Sequence, residues 1–422
     1  QEVLFSRTSS VLSKHEKDYI RKGKKCFGNT AAGNDRGSGN CRKILQAIGE
    51  NVGAGSKVKG QRRVSNMFGL IDKLEKEECL EREEWITLLS ACGDEKLRDY
   101  AAQKARTVAQ GVFGTDIYVR RLIEFINYCK NDCYYCGIRR SNPGADRYRL
   151  SMEDILACCE EGWILGFRTF VLQGGEDGFY RDEWYEELIR EIKRKYPACA
   201  ITLSVGERTK ETYRRWYEAG ADRYLLRHET ADDAHYRTMH PEEMSPVHRK
   251  ECLYALKEIG YQVGCGFMVG SPGQGPEQLA QDMEFIHELK PHMVGIGPFV
   301  PAAGSPFAKE TQGSLELTLF MLSLLRLQEK RVLLPATTAL GTIHPLGREM
   351  GIQAGANVVM PNLSPVAVRK KYALYDHKIC TGEEAAECRG CLNRRMESIG
   401  YRIVTDRGDS PYCCERPETE IF

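Results

Sequence analysis

The sequence predicts an α/β fold: a complete (β/α)8 barrel of the TIM type, with helices ahead of it and a cysteine-containing extension behind it. Three observations carry this. Strand-like and helical runs alternate from residue 116 to residue 365. Eight strand-like runs occur there, each followed by a helical one, over the ~250 residues such a barrel needs. Three cysteines, Cys129, Cys133 and Cys136, come directly after the first strand-like run. That is the C-terminal face, where such barrels carry their active sites.

Residues 1–66 differ from the rest. They hold 14 Lys/Arg against 5 Asp/Glu, while the whole chain holds 60 against 59. They are rich in glycine and asparagine and have no period. The first methionine is Met67, so this stretch reads as a basic extension that is not native. The alternative is a basic tethering or targeting arm, although its acids and missing amphipathic face argue against a transit peptide. Residues 67–115 carry helical periods at 67–77, 80–90 and 94–110. In the barrel region, 116–365, the strand-like runs are 119–127, 168–173, 200–205, 223–229, 262–269, 293–299, 333–339 and 357–361. Helical runs lie at 151–166, 181–196, 210–219, 246–259, 276–289, 314–329 and 345–354, the first capped by Ser151 with Asp154 three residues on. A partial six-strand barrel with a separate C-terminal unit explains the seventh and eighth runs less well. Residues 366–422 form the extension.

Bulk properties exclude several classes. The near-zero net charge gives no electrostatic case for nucleic acid. No apolar run approaches the ~18 residues of a membrane span. Seventeen cysteines without a secretory leader point to metal ligation in a reducing, cytoplasmic setting rather than to disulfides.

The cysteines have the spacing C-x3-C-x2-C. Three thiolates are one too few to close a zinc tetrahedron or to ligate every iron of a cubane. A [4Fe–4S] cluster here keeps one iron open to chelate a small molecule through an amine and a carboxylate. The competing reading is a zinc knuckle lacking a ligand. Tyr135 would lie over the cofactor side of the loop. Strand two ends Gln173-Gly174-Gly175-Glu176, where glycines permit close backbone approach. Strand three ends with Thr202 and Ser204. In strand four, alternation puts Arg227 and Glu229 in the lumen and His228 against the helices. Buried charges need partners, so these two either pair or hold a ligand. Arg249, early in the next helix, reads by itself as a surface charge. Strand six, with Met293, is glycine-dense, a mark of close approach. Thr337, Thr338 and Met360 end strands seven and eight and suit an uncharged or anionic ligand. A second cluster, Cys380, Cys388 and Cys391, follows Tyr372 and Tyr375. It reads as an auxiliary [2Fe–2S] or [4Fe–4S] site, or as zinc with His377. The other cysteines show no ligand spacing and read as buried or inert thiols.

The triad resembles the signature of radical S-adenosylmethionine (SAM) enzymes. The runs 123–140, 170–177, 223–230 and 335–339, with the C-x7-C-x2-C cluster, resemble the HydE maturases of [FeFe]-hydrogenases. The resemblance spans about 67–401. It implies an anaerobic enzyme that reductively cleaves SAM to methionine and a 5′-deoxyadenosyl radical. It implies a small organometallic substrate, a cysteine-ligated iron carbonyl/cyanide precursor. It also implies a ferredoxin- or flavodoxin-type electron donor and other hydrogenase maturases as partners, without nucleic acid or membrane. Carried over by residue, Cys129, Cys133 and Cys136 hold the cluster. Gln173, Gly174, Gly175, Glu176, Thr202, Glu229, Arg249 and Met293 line SAM. Arg227, Thr337, Thr338, Met360, Tyr372 and Tyr375 face the substrate and an anion site. The auxiliary cysteines vary in the family, and their cluster is dispensable there. Among rivals, biotin synthase needs strand-end cysteines, and only Cys265 lies in strands three to eight. A methylornithine-synthase-like mutase needs charged partners for both ends of an amino-acid substrate, whereas Thr337, Thr338 and Met360 look neutral. A non-enzymatic metal scaffold would not cleave SAM.

Overall fold

The computed structural model describes residues 56–379 and 384–415, and the side chains of 67–379 and 390–413. By its contacts the chain divides into units 1–63 and 64–422. The second unit holds the sheets and the helices around them. The helix Ser56–Glu77 leads into it, followed by Arg82–Ser90 and Glu95–Phe113. Asp94 caps the third, accepting from the amides of Lys96 and Leu97. Its buried stripe Leu97, Ala101, Ala105, Ala109 and Phe113 is mostly alanine. That lets the helix pack closely on Leu315–Gln328.

The strands are β1 Asp116–Val119, β2 Arg121–Ile126, β3 Thr169–Gly174, β4 Ala200–Ser204, β5 Arg223–Leu225 and β6 Gln262–Cys265. Then come β7 Met268–Val269, β8 Met293–Val294, β9 Gly297–Pro298, β10 Val358–Val359 and β11 Arg402–Val404. A parallel sheet runs β2-β3-β4-β5-β6-β8. β7 pairs with β9, and β1 lies between β10 and β11. Single parallel bridges join Met293 to Leu333, Pro335 to Val358 and Leu122 to Asn362. All six residues of β2 are buried, as both faces of a barrel strand are. Long helices follow β3 to β6: Asp182–Lys195, Lys210–Glu218, Pro246–Ile259 and Pro276–Leu289. Met152–Ile164 lies between β2 and β3 and begins at the Ser151–Asp154 capping box.

The structure shortens several expected strands. Of 223–229 only Arg223–Leu225 forms a continuous strand, and pairing resumes at a single parallel bridge from Glu229, at φ +65°, to Phe267. Runs 262–269 and 293–299 each break in two at a glycine. Run 333–339 joins only by bridges, and its end becomes the helix Thr338–Ile343. The short helices Asp233–Met239 and Val366–Arg369 and the strand β11 are further elements the periodicity did not signal.

The tail beyond Tyr401, unexplained by sequence, closes the N-terminal end of the sheet. β11 pairs with β1, and Arg407 to Asp409 fold under the strand starts. Arg223 Nη2 reaches Asp409 Oδ1 (2.6 Å) and the Arg407 carbonyl (2.7 Å). Thr169 Oγ1 donates to the same carbonyl, and Gln262 Nε2 donates to Asp409. Burial opposes the Asp409 charge, but its bond to Arg407 and the nearby Arg223 outweigh this and hold its carboxyl well below the usual range. A depressed carboxyl gives stability that is present above the unfolded value, ~4, and is lost as pH falls below it. Asp409→Asn is therefore expected to cost about 1–2 kcal/mol at pH 7, with solvent on its open side screening the pair. It should also flatten stability between pH 2 and 4 in thermal melts; an unchanged acid limb would rule the linkage out.

Candidate active site

The cysteine loop is organised before any cofactor is considered. Asn127 ties its base, giving Nδ2 to the carbonyls of Asp146 and Lys371 (both 2.8 Å) and taking the Tyr148 amide on Oδ1. Arg147 donates to the carbonyls of Asn127, Ile138 and Arg139. Asp132 binds Ser141 and Arg139. The Lys130 amide donates to Glu176 O (2.7 Å), and the Glu176 amide points back at Cys129 Sγ (3.4 Å).

Burial pushes the Cys136 thiol up to about 12 and the Cys133 thiol well above its ordinary value, and the neighbouring cysteines push the same way. Three thiolates thus need a positive centre among them. Among the described residues, no three His, Cys, Asp or Glu side chains converge as ligands of one ion. Thiolates on different irons of a cubane stand further apart than those on one ion. Three thiols on one loop leave one iron of a cubane open, and the Glu176 amide is placed to bond the Cys129 sulfur.

Beside the loop opens a cavity of about 350 Å³ at the strand ends. Its near half holds Cys129, Cys136, Tyr135, Gly174, Gly175, Glu176, Glu229 and Arg249. The glycines also make room for neighbours within the chain. A Cβ on Gly175 would lie 2.0 Å from Tyr128 O, and one on Gly174 2.3 Å from Ile126 Cγ2. They let the end of β3 press against β2 and the start of the cysteine loop. The Glu176 carboxylate is spent internally, on Asn131 Nδ2, the Glu207 amide and Lys130. Arg249 is buried rather than a surface charge, with Nε 2.7 Å from Glu207 Oε1. Glu207 had given no signal beyond following Gly206. Tyr135 shares a 3.2 Å bond with His240, whose Nδ1 donates to Tyr236 O, so its Nε2 accepts from the tyrosine. Burial keeps His240 neutral, its pKa lowered to about 3.

Thr202 does not line this cavity. It is two residues deeper than Ser204, which does, and it faces a small cavity with Arg120 and Arg223. Met293 lies between the two cavities, its Sδ accepting from Arg120 (2.8 Å).

The far half holds Gln173, Arg227, Thr337, Thr338, Met360, Tyr372 and Tyr375. Arg227 Nη2 lies 3.4 Å from Glu229 Oε2. His228 faces the helices as expected, on Asp282 (3.2 Å), with both side chains fully buried. The left-handed Glu229 is held by two backbone bonds, its amide to Gly266 O and its carbonyl from the Met268 amide. Arg227 Nε and Thr337 Oγ1, both of residues on the cavity wall, are buried without a hydrogen-bond partner within the chain. Gln173 Nε2 donates to the Tyr372 hydroxyl (3.3 Å). The expectation of a neutral far half fails. Glu124, on β2, is buried on the cavity wall and takes Lys378 Nζ and Asn362 Nδ2.

Of the second cysteine cluster, the side chains of Cys380 and Cys388 lie outside the described residues. Cys391 is exposed on the helix Glu384–Glu397, its Sγ accepting from Arg394 Nη2 (3.3 Å). Cys158, Cys159, Cys199, Cys252 and Cys265 are buried free thiols. Among the described residues no helix is long and apolar enough to cross a membrane.

Residues 123–286 match the radical SAM superfamily. The [FeFe] hydrogenase maturase subunit HydE of Thermotoga maritima is 41% identical over 339 residues, 80% of this chain and 96% of that protein. The 3-methylornithine synthase of Methanosarcina barkeri is 31% identical over 319 residues, covering 75% and 88%. In solved structures, methylornithine synthase (PylB) superposes with a TM-score of 0.70 at 28% identity, covering 79% of this chain and 97% of that one. The maturase HydG follows with 0.69 at 18% identity, covering 86% and 79%, which speaks for the fold alone. The superfamily works with a [4Fe–4S] cluster and SAM, and the loop and cavity fit both. The chain is therefore a radical SAM enzyme of TIM-barrel-like fold, and it belongs to the HydE family of [FeFe]-hydrogenase maturases.

Proposed function

We propose that the chain processes a cysteine-ligated iron carbonyl/cyanide precursor inside a closed eight-strand barrel. The bridges at Leu333, Pro335, Val358 and Asn362 support closure, since they continue β8 round to β10 and β2. One observation carries the functional reading: a single cavity joins the cysteine loop to Arg227, Thr337 and Tyr372. Cys129, Cys133 and Cys136 hold the cluster. When bound, the cluster and SAM supply a 5′-deoxyadenosyl radical by reductive cleavage. The chain's own residues then position and enclose. Arg249, braced by Glu207, takes the SAM carboxylate, and Glu229 takes a ribose hydroxyl or the amine. The backbone of Gln173 to Glu176 receives the methionine amine. Tyr135, oriented by His240, covers the adenine. Ser204, rather than Thr202, presents its hydroxyl to the cofactor half. Arg227 and the unpartnered Thr337 hydroxyl hold the anionic ligands of the substrate, with Thr338, Met360, Tyr372 and Tyr375 around it. Buried walls keep water from a radical that would attack most C–H bonds.

The work is cytoplasmic, with a ferredoxin- or flavodoxin-type electron donor and the other maturases as partners. The auxiliary site is secondary to the first. Residues 1–66, 67–115, 116–365 and 366–422 serve as extension, leading helices, barrel and C-terminal segment.

Anaerobic reconstitution with iron and sulfide, then dithionite and SAM, tests the chemistry. 5′-Deoxyadenosine should form, and its absence would leave only a scaffold role. Added to a maturation mixture lacking its HydE, the chain should activate the hydrogenase. Glu124 and Lys378 favour one second reading, an amino-acid mutase, because they place a charge of each sign on the cavity wall, which a zwitterion could engage only by parting the pair. SAM cleavage without hydrogenase activation would favour it.

A further inference from the structure

Residues 372–379 form a strap along one wall of the cavity. On one side the Gly137 amide, in the cysteine loop, donates to Leu374 O (2.8 Å). The contact is close: a Cβ on Gly137 would lie 2.1 Å from Ala373 O. On the other side the Asp376 amide donates to Pro301 O (3.0 Å), and the Ala303 amide donates to the Asp376 carboxylate. Further on, the Ile379 amide donates to Thr342 Oγ1 (3.4 Å). Between these anchors, Tyr372, Leu374, Tyr375 and Lys378 turn into the cavity.

Lys378 is the member that reaches a barrel strand. Its ammonium donates to Glu124 and to Tyr372 O (2.9 Å), and lies 4.8 Å from the centroid of the Tyr372 ring. Its side chain is 8% exposed and that of Glu124 1%. The second Glu124 oxygen accepts from Asn362 Nδ2 (2.7 Å), and the Tyr372 hydroxyl accepts from Gln173. The residue before it, His377, is held at φ +56°, a conformation kept only where the surroundings impose it. A buried ion pair adds little net stability, yet loss of one partner is costly. Such a pair is best suited to fixing one arrangement among several.

We propose that Lys378 is a positioning residue for the substrate half of the site. Paired with Glu124, it pins the strap to the cavity wall and fixes Tyr372 and Tyr375 against the ligand. The identity of that ligand rests on the maturase reading; the strap's role does not. The ammonium of Lys378 bonds Glu124 and Tyr372 O, and the strap keeps its own backbone bond from Gly137 to Leu374, so cofactor binding and substrate handling should separate when Lys378 alone is changed.

The test uses the reconstituted full chain with Lys378→Met, Glu124→Gln, the double variant and Lys378→Arg. Three readouts are taken: hydrogen exchange of strap peptides, SAM affinity from titration of the reduced-cluster EPR signal, and hydrogenase maturation. In Lys378→Met, strap exchange should rise about tenfold or more, as for a segment released to local opening. SAM affinity and iron content should stay within about twofold. Maturation should fall about 10- to 100-fold, the range for a residue that orients ligand-contacting groups. Glu124→Gln should reproduce this, the double variant should add little to either, and Lys378→Arg should restore part. Unchanged strap exchange, or full maturation with a loosened strap, overturns the proposal. A parallel loss of iron and SAM affinity also overturns it, since that marks a merely structural role. If Lys378→Met does not fold, the milder Glu124→Gln and Lys378→Arg decide by the same readouts. If the unaltered chain fails in maturation, the functional reading falls, while exchange and SAM affinity still decide the strap.

Discussion

Cys133→Ala is expected to remove 5′-deoxyadenosine formation, a loss of about 10³-fold or more, the scale seen when one member of a catalytic unit is removed. With two thiolates left, a cubane would have two irons without protein ligands. The loop itself would survive, because Asn127, Arg147 and Asp132 hold it through bonds that do not involve the sulfurs. The variant should therefore fold and melt near the parent while holding little iron or sulfide. Cys391→Ala provides the contrast. That thiol is exposed, and its replacement should change SAM cleavage by no more than about twofold. Iron and sulfide analysis, EPR and product chromatography measure both. A Cys133→Ala protein that still cleaves SAM would sink the assignment of the loop.

Gly175→Ala should cost about 100-fold in SAM cleavage, as expected when reacting groups are displaced by about 1 Å. The added methyl would meet Tyr128 O at 2.0 Å, Tyr128 C at 2.8 Å and Cys129 Cβ at 2.9 Å. Two of these are backbone atoms that no rotamer change can move aside. The end of β3 and the cysteine loop must separate, and the bond between the Glu176 amide and Cys129 Sγ goes with them. Iron content should fall less than activity, and the SAM concentration for half-maximal rate should rise. Activity within tenfold of the parent would show that the turn can shift without consequence.

Much of the site was legible because its chemistry is written in local runs. The cysteine spacing, Gly174-Gly175 and the Arg227-His228-Glu229 run each needed only neighbours in sequence, and all line or back one cavity. Glu124 was hidden by its strand. With all six positions of β2 buried, no alternation separates the lumen side from the helix side. Lys378 and Glu207 were hidden by topology. Each acts through a partner far along the chain or in another loop, and neither lies in a periodic element. The strand ends were overextended because apolar runs persist past the last ladder bond. Past Leu225 the pairing is reduced to the single bridge from the left-handed Glu229 to Phe267, beside Gly266 at φ +151°, and these are backbone facts that side-chain patterns do not report. The tail was opaque for the same reason as Lys378: Arg407 and Asp409 look like ordinary surface charges until Arg223 stands above them.

The pairing of β11 with β1 has a consequence for how the protein is made. Asp116 and Arg402 are 286 residues apart and neighbours in the register. On a ribosome adding ~5–20 residues per second, β1 must wait roughly 15–60 s for its last partner. Until then its outer edge offers unpaired amides and carbonyls to any other chain, the hazard of an open strand edge. The underside of the sheet is sealed only when Asp409 arrives beneath Arg223. A chaperone that shields β1 during synthesis should therefore raise the yield of reconstitutable enzyme more than one acting afterwards.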